Sequence, residues 1–489
     1  MNFGTLRVIT AMIAAVFLIV PTSRVDAQPL EEIVVAPDTA LMLNDEVSAN
    51  LSRNGVIRSG RVSLPADLFV TPPPPDLPPT PVNLEIDHGR FVSLVERARR
   101  TGSGGRTYVI GEDLLTPHSR FVMVIRNNRL DSGEIRLHNE VINLTAPALN
   151  NGHLVFRMLS VNPTLLPAEY APVEHGDPSG GASESNFTDP PVTRDDAPPQ
   201  GADGDAAPES DVVVPDEDGL VEVKIMVVYT PAAAEETFAQ TGVAIEDKIT
   251  VAVDKANIGL EGQANVTLKL VHMQQVAYTE TGDIYFDLKR LECPCDHKFK
   301  KLVGDNHLNE IFPLWKQYEA DIVSLWIDSP HESGIAFVMP VRSTDFARRA
   351  LNVVSWQAAT TRLTFEHEIG HNFSARHNWA MDPTNHKPYT YNHGNVDTAS
   401  ALTTIMSYES TCLVLGYWCL RLPIWSDPAY LPAGQYGKAV PGPWAANNAQ
   451  ALIDSSPYFA NFNLKHDDFG CCVNYGSFWN RKYAPGPCP

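Results

Sequence analysis

The chain has 489 residues, of which 44% are hydrophobic and 19% charged, and its formal net charge is −21. A single compact core does not extend over this length, so at least two domains are expected. The acid excess and the lack of a basic region exclude nucleic-acid binding, because the phosphates would be repelled.

The first residues read as an export signal. Arg7 precedes the mostly apolar run 8–20, and Val25 and Ala27 stand at the −3 and −1 positions of a cleavage site after Ala27. This run is well short of the roughly 20 residues needed to span a bilayer. We therefore expect residues 1–27 to be a signal peptide and the protein to be secreted, with no stable membrane anchor.

Residues 28–172 are predicted to form a small, mostly antiparallel β domain. The runs 121–125 and 154–158 are rich in strand-forming residues, and asparagine and glycine at 127–133 and 150–152 predict turns. The prolines of residues 71–82 predict an extended connector, since proline excludes helix.

Residues 173–219 differ sharply in composition from the flanking regions. They hold 13 acidic residues and one arginine, with abundant proline, glycine, serine and alanine. Such a segment buries too little apolar surface to order itself, so we predict a disordered linker open to proteolysis.

Residues 220–465 are predicted to be an α/β domain. Apolar runs and helical periodicity predict the following elements: strands at 221–230, 266–271, 321–327, 334–339 and 351–355, and helices from Pro231, over 244–260 and over 359–373. Alternating strands and helices are typical of an α/β core. The run 334–339 is interpreted as an edge strand along which a substrate would lie.

The most informative stretch is 364–378, which contains three histidines. His367 and His371 are four residues apart, so on a helix they project from one face. Two imidazoles so placed can each give a nitrogen to one zinc ion at about 2.0–2.1 Å. Glu368 is rotated by about 100° and can approach a water on the metal without being a ligand. His377 follows six residues after His371, so the chain must turn sharply to bring it back.

This spacing, with Met406 in Ile-Met-Ser-Tyr further on, resembles the metzincin metalloproteases. The residues between the histidines are most similar to the reprolysin (adamalysin) branch and its secreted bacterial relatives. The resemblance extends over about 221–465. It implies a twisted mixed sheet with a catalytic helix, a zinc ion held by His367, His371 and His377, a methionine turn at Met406, and an N-terminal propeptide.

Two residues depart from the family pattern. Ser374 replaces the glycine at the turn between the second and third histidines, where a positive φ favours glycine. Asn378 follows the third histidine, where the reprolysin branch has aspartate.

We therefore expect a secreted zinc endopeptidase made as a proenzyme, with one catalytic zinc, protein or peptide substrates and Glu368 as general base. The propeptide is a candidate inhibitor in cis, although residues 28–220 contain no cysteine to bind the zinc. One alternative is a catalytically inactive metzincin-fold binding protein, against which the intact Glu368 argues. Another is an astacin- or serralysin-like protease in which Tyr408 stabilises the oxyanion rather than packing as a core residue. Calcium is not indicated.

All seven cysteines lie after residue 290, and an exported protein usually pairs them as disulfides. Cys412 and Cys419 are expected to close a short loop after Met406. Cys293, Cys295 and His297 suggest a second metal site, for which disulfides are the preferred alternative. The tail, 466–489, contains the remaining cysteines and receives no role.

Overall fold

The computed structural model describes residues 35–36, 56–166, 219–292, 308–462, 472–473 and 482–483, with short gaps at 66–67, 75–78, 88–89, 102–104, 117–118, 138–139, 151–152, 309, 384–387, 417, 431–435, 439–443 and 461. Several predictions of the sequence lie outside these residues: the signal peptide, almost all of the acidic linker, the Cys293–His297 motif and most of the tail.

The N-terminal region forms one antiparallel sheet of nine strands. They are β1 (Val35–Ala36), β2 (Val56–Pro65), β3 (Val82–Asp87), β4 (Arg90–Thr101), β5 (Arg106–Asp113), β6 (Arg120–Arg126), β7 (Arg129–Leu137), β8 (Glu140–Asn150) and β9 (His153–Val161). Their order is β1-β2-β9-β8-β7-β6-β5-β4-β3, so β3 to β9 follow one another as a meander. Strand β2 was not predicted, because residues 28–70 show no clear period.

Local sequence explains how this sheet is built. Asn127 and Asn128 both have positive φ, 52° and 54°, which is the conformation of the two-residue turn that joins β6 to β7. Successive side chains of a strand point to opposite faces. Met123, Ile125 and Ile135 accordingly lie in the core of the sheet, while the alternate residues face outward.

The C-terminal region contains a second sheet of five strands. They are β10 (Val221–Tyr229), β11 (Val266–Gln275), β12 (Ile322–Ile327), β13 (Gly334–Ala336) and β14 (Leu351–Ser355). The order is β11-β10-β12-β14-β13, with β13 alone antiparallel at the edge. Strands buried on both faces read as continuous apolar runs, which is why the sequence located them. The predicted mixed α/β class is confirmed.

Six helices accompany the two sheets in the described residues. They are α1 (Pro231–Thr241), α2 (Ile245–Gly259), α3 (Ile284–Glu292), α4 (Ile311–Tyr318), α5 (Thr364–Asn372) and α6 (Asn448–Phe459). Helix α1 begins where the Thr230 side chain accepts a hydrogen bond from the Ala233 amide, with Pro231 in the first turn.

Several predicted boundaries were wrong. Helix α5 begins at Thr364 rather than near 359, because Leu363 before it has a φ of 59°, which no right-handed helix accommodates. It also ends at Asn372. The edge strand β13 ends at Ala336, since its pairing with β14 extends only over residues 334–336.

The remaining elements are short strands: β15 (Val396–Asp397), β16 (Leu402–Thr403), β17 (Leu420–Arg421), β18 (Cys472–Val473) and β19 (Lys482–Tyr483). Between β16 and β17, Cys412 and Cys419 form the predicted disulfide. In the described ranges, every helix is too short or too polar to cross a bilayer.

Candidate active site

Helix α5 carries two of the three histidines. His367 and His371 are one turn apart, and their rings meet edge to face with centroids 4.8 Å apart. Both side chains are buried. The helix thus presents two imidazoles side by side, as the spacing predicts.

The chain turns directly after α5 and brings the third histidine back. Ser374 adopts a φ of 71°, and the Ala375 amide donates to the Gly370 carbonyl at 2.8 Å. The Ser374 hydroxyl donates to the Met339 carbonyl at 2.7 Å. Serine therefore makes the left-handed turn that glycine would make more easily, and adds a hydrogen bond that glycine lacks.

We expect Ser374→Ala to lower the free energy of unfolding by about 1 kcal/mol, because it loses that hydrogen bond but keeps a Cβ in a left-handed conformation. Ser374→Gly loses the same bond but relieves the strain, so its stability should stay close to wild type. Chemical denaturation of the three proteins measures the difference. A glycine variant as unstable as the alanine variant would contradict this account.

The three imidazoles converge through their Nε2 atoms. His377 Nε2 lies 3.1 Å from His367 Nε2 and 3.0 Å from His371 Nε2. Three nitrogens held tetrahedrally at 2.0–2.1 Å from one zinc ion are about 3.3 Å apart. Within the described part of the chain, these histidines are the one group of three candidate ligands that converge closely enough to hold a metal. The donor set and its spacing fit zinc.

The opposite ring nitrogens are fixed by the backbone. His367 Nδ1 lies 2.9 Å from the Ile405 carbonyl, and His371 Nδ1 lies 2.8 Å from the Ala375 carbonyl. A carbonyl only accepts, so each Nδ1 must carry the proton and each Nε2 keeps its lone pair for a metal.

Glu368 lies against the edge strand. It is fully buried, and it approaches Gly334 so closely that a Cβ placed there would lie 2.5 Å from Glu368 Oε1. The same Cβ would lie 2.5 Å from Thr364 Cγ2. Glycine at the start of β13 therefore leaves the space that the carboxyl group occupies.

A reprolysin family model, described as metallo-peptidase family M12, matches residues 220–418. Residues 220–418 are therefore similar to the metallopeptidases of that family.

Three curated relatives share the name peptidyl-Asp metalloendopeptidase. One, from Stenotrophomonas maltophilia (strain R551-3), is 31% identical over 211 residues, which are 42% of this chain and 45% of that protein. One from Xanthomonas campestris pv. campestris is 28% identical over 241 residues, 49% of this chain and 51% of that protein. One from Stenotrophomonas maltophilia (strain K279a) is 29% identical over 249 residues, 49% of this chain and 52% of that protein. The chain spans about half the length of these relatives.

Met406 packs beneath helix α5. It is fully buried, and a Cβ placed on Gly370 would lie 2.5 Å from Met406 Sδ and 2.7 Å from Trp425 Cζ3. A glycine one residue before His371 thus lets the thioether and the indole reach the helix backbone. The methionine turn predicted at Met406 agrees with this packing and stays a prediction.

Tyr408 lies next to the histidines. Its ring centroid is 4.2 Å from that of His377 and 6.3 Å from that of His367. Its amide donates to Asn378 Oδ1 at 3.1 Å, and Asn378 Nδ2 donates to Thr411 Oγ1 at 3.2 Å. Asn378 thereby links the third histidine to the segment after Met406. It uses both the oxygen and the NH2 group of its side-chain amide, and aspartate has no NH2 group to donate.

A second carboxyl group of the helix has an altered acidity. Burial raises the pKa of Glu366 to about 8, although Lys255 nearby opposes the shift. Both of its carboxyl oxygens are buried without a hydrogen-bond partner among the described residues. Glu366 is thus mostly protonated at neutral pH.

Sequence reasoning missed three residues that position the site. They are Gly334, Asn372 and Arg421. The Asn372 side-chain amide donates to the Phe337 and Leu351 carbonyls at 2.9 and 3.0 Å. The Arg421 guanidinium donates to the Arg362 and Ser407 carbonyls at 2.9 and 3.0 Å. A glycine at the start of an edge strand was a usable signal. Asn372 and Arg421 donate to backbone carbonyls of segments that are distant in sequence, so no local sequence pattern predicts these contacts.

Proposed function

We propose that the protein is a secreted, zinc-dependent endopeptidase, made as a proenzyme whose N-terminal β-rich region is the propeptide. The observation that carries the proposal is the convergence of three Nε2 atoms at 3.0–3.1 Å, next to Glu368 on the same helix. The match of residues 220–418 to a metallopeptidase family supports it.

His367, His371 and His377 would hold the zinc, leaving one position open as in catalytic sites. Zinc bound there would supply a Lewis acid that polarises a substrate carbonyl and lowers the pKa of an attacking water toward about 7. Glu368 would accept a proton from that water and pass it to the leaving amine nitrogen. The close packing of the Glu368 carboxyl group against Gly334 supports this role.

The substrate class follows from the relatives. Their shared name, peptidyl-Asp metalloendopeptidase, makes bonds beside aspartate the first specificity to test. We expect the purified, processed protein to contain one zinc per chain and to cleave a peptide library with new termini concentrated beside aspartate. Metal analysis and sequencing of the new termini measure both quantities. A protein that binds zinc but cleaves no peptide would favour the inactive binding protein.

The astacin-like alternative gives Tyr408 a catalytic role, and the ring of Tyr408 lies against two of the histidines. We expect Tyr408→Phe to change turnover by less than about threefold, because the ring contacts are kept and only the hydroxyl is lost. A loss near a hundredfold, with zinc content unchanged, would instead assign the hydroxyl to the oxyanion, as in the astacin-like alternative.

A further inference from the structure

The outward face of the N-terminal sheet packs against the metallopeptidase domain. Tyr108 on β5 and Val122 and Val124 on β6 form a buried cluster with Ile258 of helix α2. These residues alternate with those of the sheet's own core, so the sheet buries both faces. The apolar contact defines an interface between the two regions.

A buried acid of the metallopeptidase domain is neutralised by the sheet. The Asp254 side chain is 2% exposed and forms ion pairs with Arg106 and with Arg126, the latter at 2.7 Å. Both arginines belong to the sheet. Both ion pairs lie inside the interface, so separating the sheet from α2 would break them.

Lys255, the next residue of α2, is a buried cation that also pairs with the sheet. Lys255 forms an ion pair with Glu134, and its ammonium group donates to Asn143 Oδ1 at 3.1 Å. The side chains of Lys255 and Glu134 are 6% and 4% exposed. Both partners again come from the sheet, on β7 and β8.

Arg136, two residues after Glu134, reaches the turn that leads into the catalytic helix. Its guanidinium donates to the Thr360 and Thr361 carbonyls at 3.2 and 3.0 Å. Helix α5 starts three residues later, at Thr364. A buried side chain of the sheet thus donates hydrogen bonds to two backbone carbonyls that lie just before the helix.

Arg421 extends this contact to the methionine segment. Arg136 donates to the Arg421 carbonyl at 3.4 Å, and the Arg421 guanidinium donates to the Arg362 and Ser407 carbonyls at 2.9 and 3.0 Å. Ser407 directly follows Met406. One hydrogen-bonded chain therefore connects the sheet to both segments that build the histidine site.

We propose that the N-terminal sheet positions the catalytic helix. The sheet stays docked on α2 and on the 360–362 turn after the acidic linker is cut. The measurement of peptide turnover rests on the proposed function. The measurement of whether the two fragments stay associated does not, because it requires no enzymatic activity.

The test uses the full chain with a site-specific protease sequence placed in the linker. After a single cut, we expect the two fragments to co-elute in size-exclusion chromatography at about 0.15 M and about 1 M salt, because buried ion pairs are screened little. The cut complex should hydrolyse peptide while its two fragments remain together. Separation of the fragments, or a turnover that rises more than tenfold as they part, would overturn the proposal and assign the sheet as an inhibitor.

Arg136→Gln tests the positioning role, with Arg129→Gln, an exposed arginine of the same strand, as the matched control. We expect Arg136→Gln to lower kcat at least about fivefold with KM unchanged, and to weaken the association of the cut fragments at least about tenfold. The control should change neither. Weakened association with kcat unchanged would leave the sheet without a positioning role. If turnover is absent in all proteins, the co-elution result still decides whether the sheet stays docked.

Discussion

Glu368→Gln should retain one zinc per chain and lose between about 10² and 10⁴ in turnover. The substitution keeps the shape of the side chain but replaces a proton acceptor by an amide, and general base catalysis contributes a factor of this size. The three histidines with convergent Nε2 atoms are unchanged, so the metal should remain. Metal analysis and peptide hydrolysis on the same preparation separate the two effects.

Glu366→Gln is the matched control on the same helix. Glu366 is buried with a pKa raised to about 8, so at neutral pH its carboxyl group is mostly protonated and an amide is a close replacement. We expect its turnover to stay within about threefold of wild type. Equal losses in both variants would mean that the helix is disturbed, and a wild-type rate in Glu368→Gln would exclude the proposed mechanism.

Gly334→Ala is expected to lower kcat by about tenfold to a hundredfold while zinc binding persists. The new methyl group would lie 2.5 Å from Glu368 Oε1, so the carboxyl end must move away. A shift of about 1 Å in a reacting group can cost a hundredfold in rate. Steady-state kinetics on a short peptide, together with metal analysis, measure the loss.

The alanine would also meet Thr364 Cγ2, so the helix itself could shift. Thr364→Ser removes that methyl and keeps the hydroxyl, which makes it the control. We expect Thr364→Ser alone to be near wild type, and its combination with Gly334→Ala to remain slow. Recovery of the wild-type rate in the double variant would place the defect in the helix rather than in Glu368.

The helix and histidine positions were predictable because they follow from a short period. The four-residue separation of His367 and His371 is about one helical turn, and buried strands such as 322–327 are continuous apolar runs. The turn at Asn127 and Asn128 was readable for a similar reason, since asparagine tolerates positive φ.

Other features depended on tertiary contacts. Leu363 has no intrinsic preference for its φ of 59°, so the true start of α5 was not visible in the sequence. Arg421 resembles any other arginine until the fold brings it to the carbonyls of Arg362 and Ser407. The docking of the sheet on α2 likewise arises from charges that are unremarkable along the chain.

The hydrogen bonds at the two helical histidines differ in how far they reach along the chain, and this has a consequence for folding. His371 is oriented by a carbonyl four residues away, so its geometry forms together with the turn. His367 is oriented by a carbonyl 38 residues away, which requires a long loop to close first. Zinc should therefore bind weakly to early folding intermediates and tightly only once residue 405 has docked, so that metal uptake reports a late step of folding.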